Sequence, residues 1–350
     1  MNVLLIQCDG PLPNLALMRL STWHKRKGDT VALIRNLEHY SSMFFSPDTV
    51  YSSSIFEYSK PVRDRVYKEF PEAIVGGDGY FPLWKNLIQI GKGVGSNLRS
   101  VITDVDPETI QPDYSHYPSF TSSLGYSQRG CRLDCAFCRM KTREGDAHSV
   151  SSINALWRGE GFPKNIHLLD NDFFGQSEWK EKIREAEAGR FRISFNQGIN
   201  VRLITHEQAR LLAETRLYYD DSFKQHRLYT AWDNLHDERI FKESMRTITD
   251  AGIPAKHLMV YMLIGFRKGE TEEEILYRFN ELLALGCLPY PMVFDRTNKR
   301  LCDFQRWVLR RYYQVCSWKE YDASFRNKKQ QTSNEVAMPF WSPTVESGDL

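Results

Sequence analysis

Three cysteines crowd into Gly130-Cys131-Arg132-Leu133-Asp134-Cys135-Ala136-Phe137-Cys138, a C-x3-C-x2-C run. Thiolates this close can hold one soft metal centre from a single loop. Their number narrows the chemistry. Structural zinc is normally closed by four ligands, and ferredoxin-type cubanes use four cysteines. The next cysteine is Cys287, so a cubane here would keep one iron open to a substrate or cofactor. Zinc is the competing reading and would recruit His148 or a distant residue as its fourth ligand. Unliganded core thiols are the third, and Gly130, Arg132 and Asp134 speak against an apolar setting. Cys8, Cys287, Cys302 and Cys316 are scattered.

A loop of this kind needs a rigid frame. Apolar runs at Ile166–Leu169, Ile193–Phe195, Leu228–Ala231 and Leu258–Ile264 read as strands. Helical stretches at Glu207–Glu214, Asp237–Ala251 and Glu272–Leu285 follow them. Repeated β–α alternation implies parallel strands with outer helices, a barrel or partial barrel. Ahead of it, Val3–Ile6 and Val31–Ile34 read as strands around a helix capped by Asn14 and ended near Gly28. Pro61–Phe70 reads as a helix, and Ala73–Val75 as a strand entering Gly76-Gly77-Asp78-Gly79. That gives a small parallel α/β layer over 1–100. Gly91, Gly93, Gly95, Pro107, Pro112 and Pro118 make 90–120 loop-like, and 101–120 is read as a linker. The barrel region then spans 121–295, a basic aromatic helical segment 296–326, and a polar tail 327–350.

Composition excludes several classes. The chain has 350 residues, and 46 Lys+Arg against 44 Asp+Glu leave a net charge of +2. No global polyelectrolyte character selects a partner. Seven cysteines in a chain this long do not make a secreted disulfide framework. No apolar stretch approaches 18 residues, so no transmembrane helix is expected. The first residues lack a basic n-region and a small-residue cleavage site, and the expected location is cytoplasmic.

The triplet, with Phe137 before its third cysteine, resembles the radical S-adenosylmethionine (radical SAM) superfamily. Asp170-Asn171-Asp172-Phe173, after a predicted strand, is similar to the Asp-Asp-Asn-Phe of members with an N-terminal cobalamin-binding-type domain. Gln197-Gly198-Ile199-Asn200-Val201-Arg202 resembles the next strand end. Val260–Phe266 followed by Gly269-Glu270-Thr271 resembles the family's Ile-Gly-x-Pro-Gly-Glu-Thr segment, with Arg267-Lys268 in place of its proline. The likeness covers roughly 120–295. It implies a partial (β/α)6 TIM-like barrel preceded by a small Rossmann-like domain.

The resemblance also implies chemistry. Cys131, Cys135 and Cys138 would ligate a [4Fe-4S] cluster whose open iron binds S-adenosylmethionine. One electron, from a flavodoxin- or ferredoxin-type partner, would cleave the sulfonium bond. The resulting 5′-deoxyadenosyl radical would abstract hydrogen from a substrate that the sequence does not identify. Phe137 and Gly265 would lie by the adenine. Asp170, Asn171 or Asp172 would accept from the cofactor's amino group, with capping or loop polarity as the plainer role. Gln197 and Asn200 end the next strand, Arg202 would pair with the cofactor carboxylate or form an ordinary salt bridge, and Asp233 would meet a ribose hydroxyl.

Cobalamin is not favoured. Members that hold it through histidine carry Asp-x-His-x-x-Gly after the first strand, where this chain has Cys8-Asp9-Gly10-Pro11-Leu12-Pro13-Asn14. The alternatives are a cobalamin-dependent radical SAM methyltransferase and, from another class, a zinc-stabilised nucleic-acid-binding protein. An electron carrier is disfavoured by the missing fourth cysteine. Arg296–Lys329 carries ten Lys/Arg against three acids, interleaved with Phe304, Trp307, Tyr312, Tyr313, Trp318, Tyr321 and Phe325. That pairing suits nucleic acid. The apolar stripe at Leu301, Phe304, Val308, Tyr312 and Val315 favours an amphipathic helix packed on the barrel.

Overall fold

A computed structural model describes residues 1–35, 37–40, 45–77, 98–218 and 222–322. The chain divides into two compact units, the first Met1–Thr121 and the second from Ser122 onward.

The first unit is built on β1 (Asn2–Gln7), α1 (Leu15–Arg26), β2 (Thr30–Ile34), β3 (Thr49–Ser53), α2 (Lys60–Glu69) and β4 (Ile74–Gly76). Its strands are parallel in the order β2-β1-β3-β4. Asn14 caps α1 by accepting the Leu17 N–H at 3.2 Å, satisfying one orphan donor of the first turn. Gly77 follows β4 at φ +90°, and a Cβ there would lie 2.2 Å from the Ser54 carbonyl oxygen. Gly77 thus packs against the protein's own backbone. Asp78 and Gly79 lie outside the described residues.

Residues 101–120 are not a free linker. They follow α3 (Leu98–Val101) and strap α1 inside the first unit. Arg19 Nη1 donates to Glu108 Oε2 at 2.7 Å, Ser21 Oγ to Asp113 Oδ2 at 2.6 Å, and Trp23 Nε1 to Asp104 Oδ1 at 2.8 Å. Tyr117 OH donates to the buried Gln7 Oε1 at 2.8 Å. Prolines that look like linker punctuation here shape a segment held by side chains.

The second unit holds two parallel sheets. The first, in the order β10-β9-β8-β5, uses β5 (Ser123–Gly125), β8 (Asn165–Leu168), β9 (Arg192–Phe195) and β10 (Arg216–Leu217). The second, in the order β11-β12-β13, uses β11 (Leu228–Ala231), β12 (Leu258–Ile264) and β13 (Leu288–Val293). Between β5 and β8 the chain makes a short antiparallel pair, β6 (Gln128–Arg129) and β7 (His148–Ser149), around α4 (Met140–Glu144), and then α5 (Ile153–Leu156). Just past β9, the Ile199 N–H donates to the Tyr229 carbonyl of β11 at 2.8 Å, joining the sheets.

Alternation along the strands sets two faces. Ile166 and Leu168, Ile193 and Phe195, Leu258, Val260, Met262 and Ile264 enter one core. Against them pack α6 (Trp179–Ala188), α7 (His206–Glu214), α8 (Glu238–Asp250), α9 (Glu272–Ala284) and α10 (Lys299–Leu309). The other face of β11–β13 carries Tyr229, Tyr261 and Tyr290. Tyr229 and Tyr261 stack at 5.6 Å, and Tyr261 meets Tyr290 edge-on at 5.5 Å. The α/β class with parallel sheets follows directly from these strands.

The basic segment folds as its apolar stripe requires. Leu301, Phe304, Trp307, Val308, Tyr312, Trp318 and Tyr321 are all buried in the core. Rings packed there cannot stack on bases. The helix ends at Leu309, Arg311 turns to φ +56°, and Val315 is exposed rather than continuing the stripe. Arg300 pairs with Glu272 at 2.9 Å and covers the Trp318 ring. Phe325, Arg326 and the 327–350 tail lie outside the described residues.

A candidate metal centre on the cysteine loop

The cysteine loop leaves β6 and enters α4, above the carboxyl ends of β5 and β8. Its course is set by buried carboxylates. Asp172, 1% exposed, accepts from Arg132 three times: from its backbone N–H at 3.0 Å and from Nε and Nη2 at 2.8 and 2.9 Å. The guanidinium fork fits a carboxylate in this two-point manner. Asp170, also buried, accepts the Ser127 and Gln128 N–H groups at 2.7 and 3.1 Å and the Ser127 hydroxyl. Burial raises its pKa to about 6, against the pull of those hydrogen bonds. Glu144 completes the frame. It accepts from Arg129 Nη1 at 2.8 Å, from the Gly130 N–H at 3.1 Å and from Asn171 Nδ2 at 3.0 Å.

Gly130 has to be glycine. Its φ is +73°, and a Cβ would lie 2.3 Å from the Asp146 carbonyl oxygen. Lys182 ties the loop's base down from α6. Its ammonium donates to the Ser127 carbonyl, to Gln176 Oε1 and, at 2.7 Å, to Ser149 Oγ. Burial lowers its pKa.

On this frame Cys131 and Cys135 are partly exposed, Cys138 is exposed, and none is in a disulfide. The Cys138 N–H donates to the Cys135 carbonyl at 2.8 Å, closing a turn between the two. Donors reach two of the sulfurs. The Leu133 N–H lies 3.4 Å from Cys131 Sγ, and Arg202 Nη2 lies 3.6 Å from Cys135 Sγ. Burial pushes the Cys131 thiol up, with the nearby Asp172 and other thiols adding to it. Among the described residues no three His, Cys, Asp or Glu side chains form a ready-made group for a metal ion. The donor set nonetheless fits an iron–sulfur cluster. Three thiols share one short loop, and N–H groups point at sulfur, as clusters require of their surroundings. His148, the candidate fourth ligand for zinc, is exposed and bonds through Nδ1 with the Asp146 carbonyl.

The other expected cofactor residues divide. Asp170, Asn171 and Asp172 do sit at the end of β8, but they hold the loop. Asp233, after β11, accepts the Leu263 N–H at 2.9 Å, and burial raises its pKa. Asn200 caps the following turn by accepting the Arg202 N–H at 3.2 Å, while Gln197 is exposed. Arg202 spans Asp237 Oδ2 at 2.9 Å and the Cys135 sulfur. Burial works against its charge, and those two partners outweigh it, so its pKa is raised. Phe137 meets Phe266 edge-on at 5.6 Å, and Phe266 meets Phe294 at 4.9 Å. Gly265 turns at φ +78°, and a Cβ there would lie 2.5 Å from Leu301 Cδ1, so the close approach it permits is to α10. Glu270 receives the Gly265 N–H at 2.7 Å and the fully buried Arg278 at 2.6 Å. Thr271 opens α9 with a capping box to Glu274, as Gly-Glu-Thr suggested.

Sequence reasoning missed Glu144, Lys182, Asp237 and Arg278. All four act through partners far along the chain, and no local pattern marks them. No family model, curated protein or solved structure matches the chain.

Proposed function

We propose that this chain is a radical SAM enzyme in which Cys131, Cys135 and Cys138 hold a [4Fe-4S] cluster. The observation that carries the reading is the loop: three unpaired thiols, with two N–H donors aimed at sulfur, on a segment clamped to a parallel β/α frame. A bound cluster with one open iron would bind S-adenosylmethionine and supply the electron for its reductive cleavage to a 5′-deoxyadenosyl radical. The chain's own residues supply position. Asp172 holds Arg132, Glu144 ties α4 back to Arg129 and Gly130 at the start of the loop, and Asp170 orients the turn before it. Arg202 places a positive charge against Cys135.

The fold supports the reading. Strands β5, β8 and β9 run parallel in chain order in one sheet, with the two-residue β10 at its edge, and β11, β12 and β13 do so in the other, with their helices on one face. The Ile199–Tyr229 bond joins the two sheets. We read them as the halves of a partial (β/α)6 barrel, whose carboxyl edge is where such sheets place their chemistry. Cobalamin is not part of the reading. Ligands of open α/β sheets sit beyond the strand ends where the order reverses, here between β1 and β3. There Asp9 bridges the strands, accepting from Ser54 Oγ at 2.7 Å and the Ile55 N–H at 2.8 Å.

Anaerobic reconstitution with iron and sulfide tests the proposal. The expected result is about one cubane per chain and 5′-deoxyadenosine formed from S-adenosylmethionine under strong reductant. About one zinc, with neither iron nor sulfide retained, would refute it.

A further inference from the structure

Arg202 is expected either to pair with the cofactor carboxylate, as the family resemblance implies, or to form an ordinary salt bridge, and its pair with Asp237 is such a bridge. The structure gives it a further neighbour. Its guanidinium is held on three sides: Nη1 to Asp237 Oδ2 at 2.9 Å, Nε to Asn200 Oδ1 at 3.3 Å, and Nη2 to Cys135 Sγ at 3.6 Å. Its side chain is 29% exposed, so the charge is only partly screened by water. Asp237 precedes α8 and Asn200 follows β9, so both anchors stand outside the cysteine loop. A long, flexible arginine is thereby fixed with its Nη2 turned to sulfur. Nothing in this arrangement depends on a substrate being present.

We propose that Arg202 is a positioning residue that sets the reduction potential of the cluster through its N–H···S contact with Cys135. This rests on the reading of the three cysteines as cluster ligands. The physical argument is short. Adding an electron makes a cluster more negative, and that charge spreads over its sulfurs. A guanidinium beside one thiolate stabilises the reduced state more than the oxidised one, so it raises the potential. A fixed fork does this without reorganising on each electron transfer. Asp237 partly offsets the charge, and its main part is to stop Arg202 from swinging out to solvent.

The test uses the full chain reconstituted anaerobically, as parent, Arg202→Gln and Arg202→Lys. Iron and sulfide content is measured first, and the cluster is then poised against redox mediators and followed by visible absorbance and EPR, with no S-adenosylmethionine added. Glutamine should load iron as the parent does. At a fixed solution potential its ratio of reduced to oxidised cluster should fall about tenfold, which is 59 mV for a one-electron couple. Lysine keeps a charge but cannot reach Asp237 and the sulfur together, so its potential should lie between the two. A glutamine variant with full iron content and the parent's potential would overturn the inference. If glutamine loads no cluster, lysine decides, and a potential equal to the parent's overturns it. A parent that takes up no iron and sulfide instead sinks the proposed function, and this inference with it.

Discussion

Asp170 is a carboxyl group that folding drives toward its neutral form, and that makes a measurable prediction. It is buried at the end of β8, and its pKa is raised from 3.8 to about 6 by that burial. The folded chain therefore holds a proton that the unfolded chain has lost between those two values. A raised pKa contributes stability that is complete below pH 3.8 and lost as the pH climbs through 6. About two pKa units at 1.36 kcal/mol each give a full loss of about 3 kcal/mol, of which about 2 kcal/mol falls between pH 4 and pH 7. Asp170→Asn removes the titration and keeps the shape. Its amide oxygen can still accept the Ser127 and Gln128 N–H groups, and the Ser127 hydroxyl can rotate to accept from the new Nδ2. Urea unfolding of parent and variant at several pH values isolates the group, because every other titration is common to both. The variant should gain on the parent by about 2 kcal/mol from pH 4 to pH 7, whatever constant offset the substitution brings. Parallel curves for the two proteins would refute the argument.

Other outcomes follow from the same contacts. Arg278→Met strips a buried cation from Glu270 and from the Trp232 and Leu263 carbonyls. It should cost about 3–5 kcal/mol, read as a Tm drop of roughly 6 °C or more. Thr271→Ala removes the first bond of the α9 capping box and should cost about 1 kcal/mol in urea unfolding. Cys135→Ala should lose most of the iron taken up on reconstitution, whereas Cys302→Ser, outside the loop, should load like the parent.

Local pattern carried much of the frame. Leu228–Ala231 and Leu258–Ile264 are strands over the residues that their apolar runs mark, and α7, α8 and α9 start within a residue of their expected positions. Six strands escaped notice (β3, β5, β6, β7, β10 and β13), three of them for identifiable reasons. Ser123–Gly125 is short and polar, and its burial comes from its neighbours in the sheet and the helices. Thr49–Ser53 carries its apolar character on two residues only. Leu288–Val293 contains Pro289 and Pro291, which argue against a central strand. The cysteine loop was legible because its three cysteines are close in sequence. The roles of Asp170 and Asp172 were not. Whether a carboxylate meets a ligand or its own chain depends on Ser127, Gln128 and Arg132, which only folding brings to it.

The prolines of β13 have one more consequence. The strand lies at the edge of its sheet, and Tyr290 and Met292 lie opposite Tyr261 and Leu263 in the parallel register while Pro289 and Pro291 alternate with them, opposite Val260 and Met262. Backbone groups at alternate residues point to the same side, so the two prolines fall on the outward rim. Neither has an N–H to offer there. A stray strand arriving at that rim finds no donor at either proline, and the Pro291 carbonyl is already taken by Gln305 Nε2 at 2.7 Å, so it cannot zip on. The same substitutions that hide β13 from a pattern search keep its open edge from recruiting another chain during folding, when a parallel sheet built from distant segments is slow to complete.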